Sequence, residues 1–406
     1  QVPHSGLRWP CFTQLHDEDR HTAKMSSMHS AAEDHAPEII PLLQTVVYDP
    51  PSAVKDILAT GVNANLRFGS DGFSMLEMAA LVGRLEVVGI LLNHGADAND
   101  AGPNGKTALH NVVIRGWNLD LIYLLLFAGA DIDARTAEGF TALHFAAKRP
   151  DSGDATTILL KLGAAKDALI RNGRSPLHLA AECDNLAATR ALLAAGADAT
   201  LRDHQYFRMS PLGVAAFGGK VEVIREIVRQ RRCLDLDAAP ASPGWTALHL
   251  AASMNQVGSI DALVEAGARV DVETRVKGRG DTPLHSAVTY SALEAMHALL
   301  RHGAPVLALP VRASQQEDGR DSIRRNEPPL HVAARKGGMV NAAKSVDLLL
   351  RWGADETELD NDGKTAAEVI GTLLGPYGQA ADADRERELL ANAPADRAWR
   401  RRGLVV

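Results

Sequence analysis

Apolar residues recur along this chain with one long period. Leucine stands at 76, 109, 143, 177, 212, 248, 284 and 330, in steps of 33, 34, 34, 35, 36, 36 and 46 residues. Each sits in the same tetrapeptide theme: Ser74-Met-Leu-Glu77, Thr107-Ala-Leu-His110, Thr141-Ala-Leu-His144, Ser175-Pro-Leu-His178, Ser210-Pro-Leu-Gly213, Thr246-Ala-Leu-His249, Thr282-Pro-Leu-His285 and Pro328-Pro-Leu-His331. Thr365-Ala-Ala-Glu368 is a decayed copy. A second theme, Gly-Ala-Asp, follows at a near-constant offset, beginning at Gly95, Gly129, Gly196 and Gly353.

The pattern predicts the same elements in every period. Serine or threonine is a preferred helix N-cap, because its oxygen accepts from an orphan backbone N–H. Proline beside it fits the first helical position, where no N–H is needed. Leucine then opens the buried face, and Ala-Ala pairs such as Ala146-Ala147, Ala180-Ala181 and Ala251-Ala252 let neighbouring first helices approach closely. Gly83, Gly116 and Gly218 fall where the first helix must stop and turn. A second helix follows, as at Leu85–Asn93 or Val221–Gln230, with paired aliphatic residues facing inward. The closing Gly95 or Gly129 suits a left-handed position, and the Asp and Asn after it suit a hairpin leading to the next unit. No single unit buries its own apolar face, so neighbours must stack.

Two themes in phase over about 300 residues, at a period near 33 with Thr-Pro-Leu-His at its head, resemble the ankyrin-repeat family from about Ala36 to Ile370. The resemblance implies an all-α solenoid of stacked helix-turn-helix units joined by β-hairpin-like fingers. Its inner face would be concave and built from the first helices and the fingers. On this reading residues 1–35, polar and His-rich, form a disordered N-terminal segment, and 36–370 form the repeat domain. Residues 36–70 are its N-terminal cap, repeats run from 71, and a solvated loop is inserted at about 306–327. Residues 371–406 supply a capping helix around Arg385–Asn392 and a basic tail, Arg397 to Arg402. The chain begins at Gln1 and stops at Val406, which reads as a product cut at both ends.

Composition narrows the function. The hydrophobic fraction is 46% and 23% of residues are charged, which excludes wholesale disorder. A net charge of −7 argues against a general nucleic-acid binder. Cys11, Cys183 and Cys233 are too few and too scattered for a disulfide framework or a zinc cluster. No signal peptide or membrane-spanning stretch is visible, so a cytoplasmic or nuclear location is expected.

Several motifs look like chemistry and fail on spacing. Gly105-Lys-Thr107 and Gly363-Lys-Thr365 end like phosphate loops, but Asp100 and Glu358 stand where the required first glycine belongs. Arg279-Gly-Asp281 runs into the next repeat head. The tail motif His16-Asp-Glu-Asp-Arg-His21 is at most a weak metal site. The recurring histidines His110, His144, His178, His249, His285 and His331 lie one repeat apart, about 10 Å at helix-packing distances. Ligands of one metal must sit near 2 Å from it. In the resembled family this histidine ties neighbouring units together. No catalytic residue, cofactor or metal is expected.

What remains is a surface. In the resembled family the residue before each Thr-Pro-Leu-His head and the two after Ala-Ala face the concave side. Here these positions, with the adjoining finger residues, give Phe140, Lys148, Arg149, Arg174, Tyr206, Phe207, Met209, Trp245, Met254, Tyr290, Arg335 and Lys336. Aromatic residues, Met and Arg are enriched at interfaces. The chain is therefore expected to be a monomeric, non-catalytic scaffold or adaptor that binds a protein partner there, with neither nucleic acid nor membrane as partner. The alternative is the substrate-recruiting part of a larger signalling or ubiquitin-ligase protein.

Overall fold

Nine helix pairs follow one another among the described residues of the computed structural model, and those headed by Ser or Thr, from Ser74 to Thr282, open at the predicted cap. The described residues are 39–68, 72–116, 118–150, 153–205, 207–230, 234–239, 244–274, 280–307, 327–372 and 383–400. The pairs are α1 (Ile39–Tyr48) with α2 (Pro51–Ala59), α3 (Met75–Val82) with α4 (Leu85–Asn93), and α5 (Ala108–Arg115) with α6 (Leu119–Phe127). There follow α7 (Ala142–Lys148) with α8 (Gly153–Lys161), α9 (Pro176–Glu182) with α10 (Leu186–Ala194), and α11 (Pro211–Phe217) with α12 (Val221–Gln230). The last are α13 (Ala247–Ser253) with α14 (Val257–Glu265), α15 (Pro283–Thr289) with α16 (Leu293–Arg301), and α17 (Pro329–Arg335) with α18 (Ala342–Arg351). A 3-10 turn at Ala366–Val369 and a final helix, α19 (Asp384–Arg400), complete the order. Strand is confined, among the described residues, to Arg67–Phe68 pairing antiparallel with Phe73–Ser74.

The chain divides into two compact units between Phe145 and Ala146. In the first, inner helices α1, α3 and α5 pack in series, as do outer helices α2, α4 and α6. In the second, α9, α11, α13, α15 and α17 form the inner series, and α8, α10, α12, α14, α16 and α18 the outer one. Helix α19 packs on α18. The predicted Ala-Ala positions are buried at every inner helix that carries them, including Ala180, Ala181, Ala215, Ala216, Ala251 and Ala252. The outer helices bury one aliphatic stripe each, such as Val87, Val88 and Leu91 of α4 or Val223, Ile224 and Ile227 of α12.

The turn after the inner helix departs from expectation at one glycine. Gly83 takes a left-handed conformation, but Gly218 stays right-handed and Gly219 turns the chain with φ of 73°. The same job is done without glycine by Asp184, Asn255 and Ser291. At the fingers, Gly105 is constrained twice. Its φ is 70°, and a Cβ there would stand 2.7 Å from the Ala137 backbone nitrogen, which donates to the Asn104 carbonyl. Gly105→Ala is expected to cost about 2 kcal/mol, read as a lowered urea midpoint with unchanged slope.

The ninth copy keeps its cap but not its helix. The Thr365 N–H donates to Glu368 Oε2 at 2.7 Å, yet the chain leaves after one 3-10 turn and the Gly371 N–H donates to the Ala334 carbonyl. The expected segments 1–35, most of the 306–327 insert and the end of the basic tail lie outside the described residues.

Candidate protein-interaction surface

Within each unit, neighbouring fingers are tied by residues that the repeat makes periodic. In the first unit Asn65 Nδ2 donates to the Gly95 carbonyl, and the Asp97 N–H donates back to Asn65 Oδ1. Asn99 repeats the pair with the Gly129 carbonyl and the Asp131 N–H. In the second unit Asp167 and Asp237 accept from the N–H groups of Asp198 and Arg269.

The histidine column provides a second tie. His249 Nδ1 accepts from the Thr246 N–H at 3.3 Å, while Nε2 donates to the Asp281 carbonyl at 2.9 Å. His110, His178 and His285 make the same two bonds, reaching the carbonyls of Phe140, Met209 and Glu327. His331 reaches the Lys364 carbonyl. An acceptor at Nδ1 and a donor at Nε2 require the neutral ring with its proton on Nε2. Burial enforces this state and pushes His110 and His249 down to about 4. In the first copy Glu77 replaces the ring and accepts from the Ser74 N–H at 2.8 Å. Burial raises its carboxyl pKa.

The predicted contact residues divide into two groups on this frame. Arg174, expected at the surface, is only 6% exposed. Its guanidinium pairs with Glu182 at 2.8 Å and lies 3.5 Å from Asp203, which is fully buried. Asp203 Oδ1 in turn accepts from the Met209 N–H at 2.9 Å. Met209 is itself 3% exposed, because the finger turns its side chain into the core. Arg335 is clamped between Glu327 and Asp360. Lys336 Nζ donates to the Thr289 carbonyl at 2.7 Å and to Ser291 Oγ at 2.6 Å, closing the end of α15. The exposure expected of Arg174 and Met209 is thus corrected, while Arg335 and Lys336 are half-buried and also bonded within the stack. Tyr206 lies outside the described residues.

The others form a patch in each unit. In the first unit Phe140 stacks on Phe145 with ring centres 5.2 Å apart. Lys106 Nζ stands over Phe145 at 5.9 Å, and His110 meets the same ring edge-on at 5.7 Å. In the second unit Phe207 lies on Trp245 at 5.0 Å, and Tyr290 meets Trp245 edge-on at 6.0 Å and 89°. Tyr290 and Met254 remain 44% and 41% exposed. Lys148 and Arg149 are half-buried, and the Arg149 carbonyl accepts from Asn185. Phe145 was not among the expected residues. Its signal was present in the sequence, since the residue after the histidine is aliphatic at Leu179, Leu250 and Val332.

Among the described residues, no group of three or more His, Cys, Asp or Glu is placed to hold a metal ion. No helix among them is long and apolar enough to cross a membrane.

The chain belongs to the ankyrin-repeat family. The model for ankyrin repeats in three copies matches residues 28–136, 109–203 and 199–275, and a single-repeat model matches 279–309. Membership carries a protein-interaction role. The chain is 31% identical to the nuclear factor NF-kappa-B p105 subunit of Mus musculus over 197 residues, 46% of this chain and 18% of the mouse protein. It is 32% identical to ankyrin repeat and SOCS box protein 11 of Danio rerio over 130 residues, 32% of this chain and 37% of that protein. The chain thus spans well under half the length of these relatives. A crystal structure of the human ASB11 ankyrin repeat domain superposes with a TM-score of 0.46 at 21% identity, covering 63% of this chain and 98% of that domain.

Proposed function

We propose that this chain is a non-catalytic scaffold or adaptor whose finger-side face binds a protein partner, with the centre of the contact in the second unit. The observation that carries this reading is the cluster of Phe207, Trp245 and Tyr290, together with the exposed Met254 of the same unit. Tyr290 and Met254 keep over two-fifths of their surface in water although the inner helices beneath them are tightly packed. Rigid aromatic side chains lose little rotamer freedom on binding and suit such an anchor. Phe140 with Phe145, and the half-buried Lys148 and Arg149, are assigned to the same role. The domain boundaries proposed are a cap at 36–70, repeats from 71 and a closing segment from 371.

Trp245→Ala and Tyr290→Ala are each expected to weaken partner capture from the source cell extract by about tenfold or more, with helical circular dichroism near wild type. Full capture by both variants overturns the assignment, and lost helicity makes the residues structural. A second reading has one observation in its favour. The zebrafish relative carries a SOCS box beside its ankyrin repeats in name, and this chain spans 37% of it. The chain would then be the substrate-recruiting portion of a larger protein, and sequencing the full transcript decides between the two.

A further inference from the structure

In the second unit the histidine column is broken at the fifth copy, where Gly213 replaces the ring carried by His178 and His249. At those neighbours the ring fills the space between the N-cap residue and the next finger. At Gly213 the corresponding space is a cavity of about 70 Å³, bounded by Ser210, Gly213 and Trp245 among others. It is a built feature as well as a lost side chain. Leu250 leans in from α13 so far that a Cβ on Gly213 would stand 3.1 Å from its Cδ1, which leaves too little room for a ring. The remaining volume stays open.

Its walls are of two kinds. Met209, Leu212, Leu250 and Trp245 make an apolar slot, and the polar residues of the lining are Thr200, Ser210, Arg202 and Asp235. Arg202 is half-buried, and its guanidinium donates to the Arg208 carbonyl at 3.3 Å. Burial lowers its pKa, the like charge of Arg208 lowers it further, and Asp235 offsets this in part. Asp235 Oδ1 already accepts from the Asp237 N–H at 3.0 Å. Arg202 and its neighbour Arg208 thus outnumber the Asp235 carboxylate beside this apolar slot.

We propose that this cavity binds a carboxylate carried on a short aliphatic stem, with Arg202 taking the carboxylate and Trp245 lying along the stem. A guanidinium fits a carboxylate with two parallel donors, and the apolar wall favours an anion that carries an aliphatic stem. The same chemistry has two sources: a free small acid, or the aspartate or glutamate side chain of a bound protein.

Propionate is the matching probe, with propionamide as its neutral isostere and inorganic phosphate as a stemless anion. The full chain carrying 5-fluorotryptophan gives a fluorine resonance for Trp245, assigned by its loss in Trp245→Phe. At constant ionic strength, propionate is expected to shift that resonance saturably, and propionamide and phosphate are not. Arg202→Gln is expected to weaken propionate about tenfold, and Arg202→Lys to restore part of the affinity. No saturable shift, an equal shift with propionamide, or an unchanged response in Arg202→Gln overturns the proposal. The titration needs no partner, so it stands or falls apart from the interaction face. Partner capture by Arg202→Gln then names the source, with unchanged capture giving a free acid and weakened capture an acidic side chain.

Discussion

Arg174→Ala is expected to lower stability by about 3–5 kcal/mol, because it strips a buried carboxylate of its counter-ion. Asp203 is fully buried and is held beside Arg174. Burial already raises the Asp203 pKa against the opposing pull of Arg174. Without the arginine the carboxyl is driven to take up a proton, so the deficit should shrink as pH falls. Arg174→Ala/Asp203→Asn removes the charge and keeps an acceptor for the Met209 N–H. The double variant should therefore be more stable than Arg174→Ala alone. The urea midpoints of the three proteins at pH 7.5 and 5.5 check both statements. Equal midpoints for the single and double variants would show that the pair is not coupled. Asp203 also anchors the finger that carries Phe207, so Arg174→Ala should weaken partner capture without touching the partner.

Acid is expected to loosen the stack well above the usual carboxylate range. His249 sits near pKa 4 when folded and about 6.5 when unfolded. The folded value is depressed, so the contribution is complete above pH 6.5 and is lost progressively as pH falls from 6.5 towards 4. Between pH 7.5 and 5 the loss is about 2 kcal/mol for this ring. His110 shares the value and the sign. His285 is depressed by the same cause, burial. Protonation also removes the Nδ1 acceptor that caps each helix. His249→Gln retains a cap, since Gln at that position reaches back to the N-cap N–H, and it does not titrate. Its stability should fall less between pH 7.5 and 5 than that of wild type, by about 2 kcal/mol. Parallel pH profiles would contradict the role given to the ring.

The repeat, its caps and its inward faces were legible because they rest on local rules that recur at a fixed period. Ser210, Thr246 and Thr282 open helices where an N-cap residue followed by a leucine says they should. The histidine ties were legible only through family resemblance, since no local rule makes His249 reach a carbonyl 32 residues on. Surface position was harder to read. Arg174 and Lys336 occupy columns that face outward in a regular repeat. Their fate depends on acceptors one repeat away, Asp203 and the end of α15. Met209 is buried because the fifth finger, with Arg208 in a left-handed conformation, is itself irregular. The cavity at Gly213 was visible as a missing histidine. Its depth depends on Leu250, which the sequence does not place.

A partner seated on the finger-side aromatic cluster of the second unit must come within crosslinking reach of Tyr290. This is tested most directly by placing a photo-crosslinking amino acid, p-benzoylphenylalanine, at position 290 and, separately, at position 123. Tyr123 is an exposed aromatic of similar size on the outer helix α6. A covalent adduct with the captured partner is expected from position 290 and none from position 123. An adduct from position 123 with none from position 290 would contradict this placement and move the interface to the outer helices.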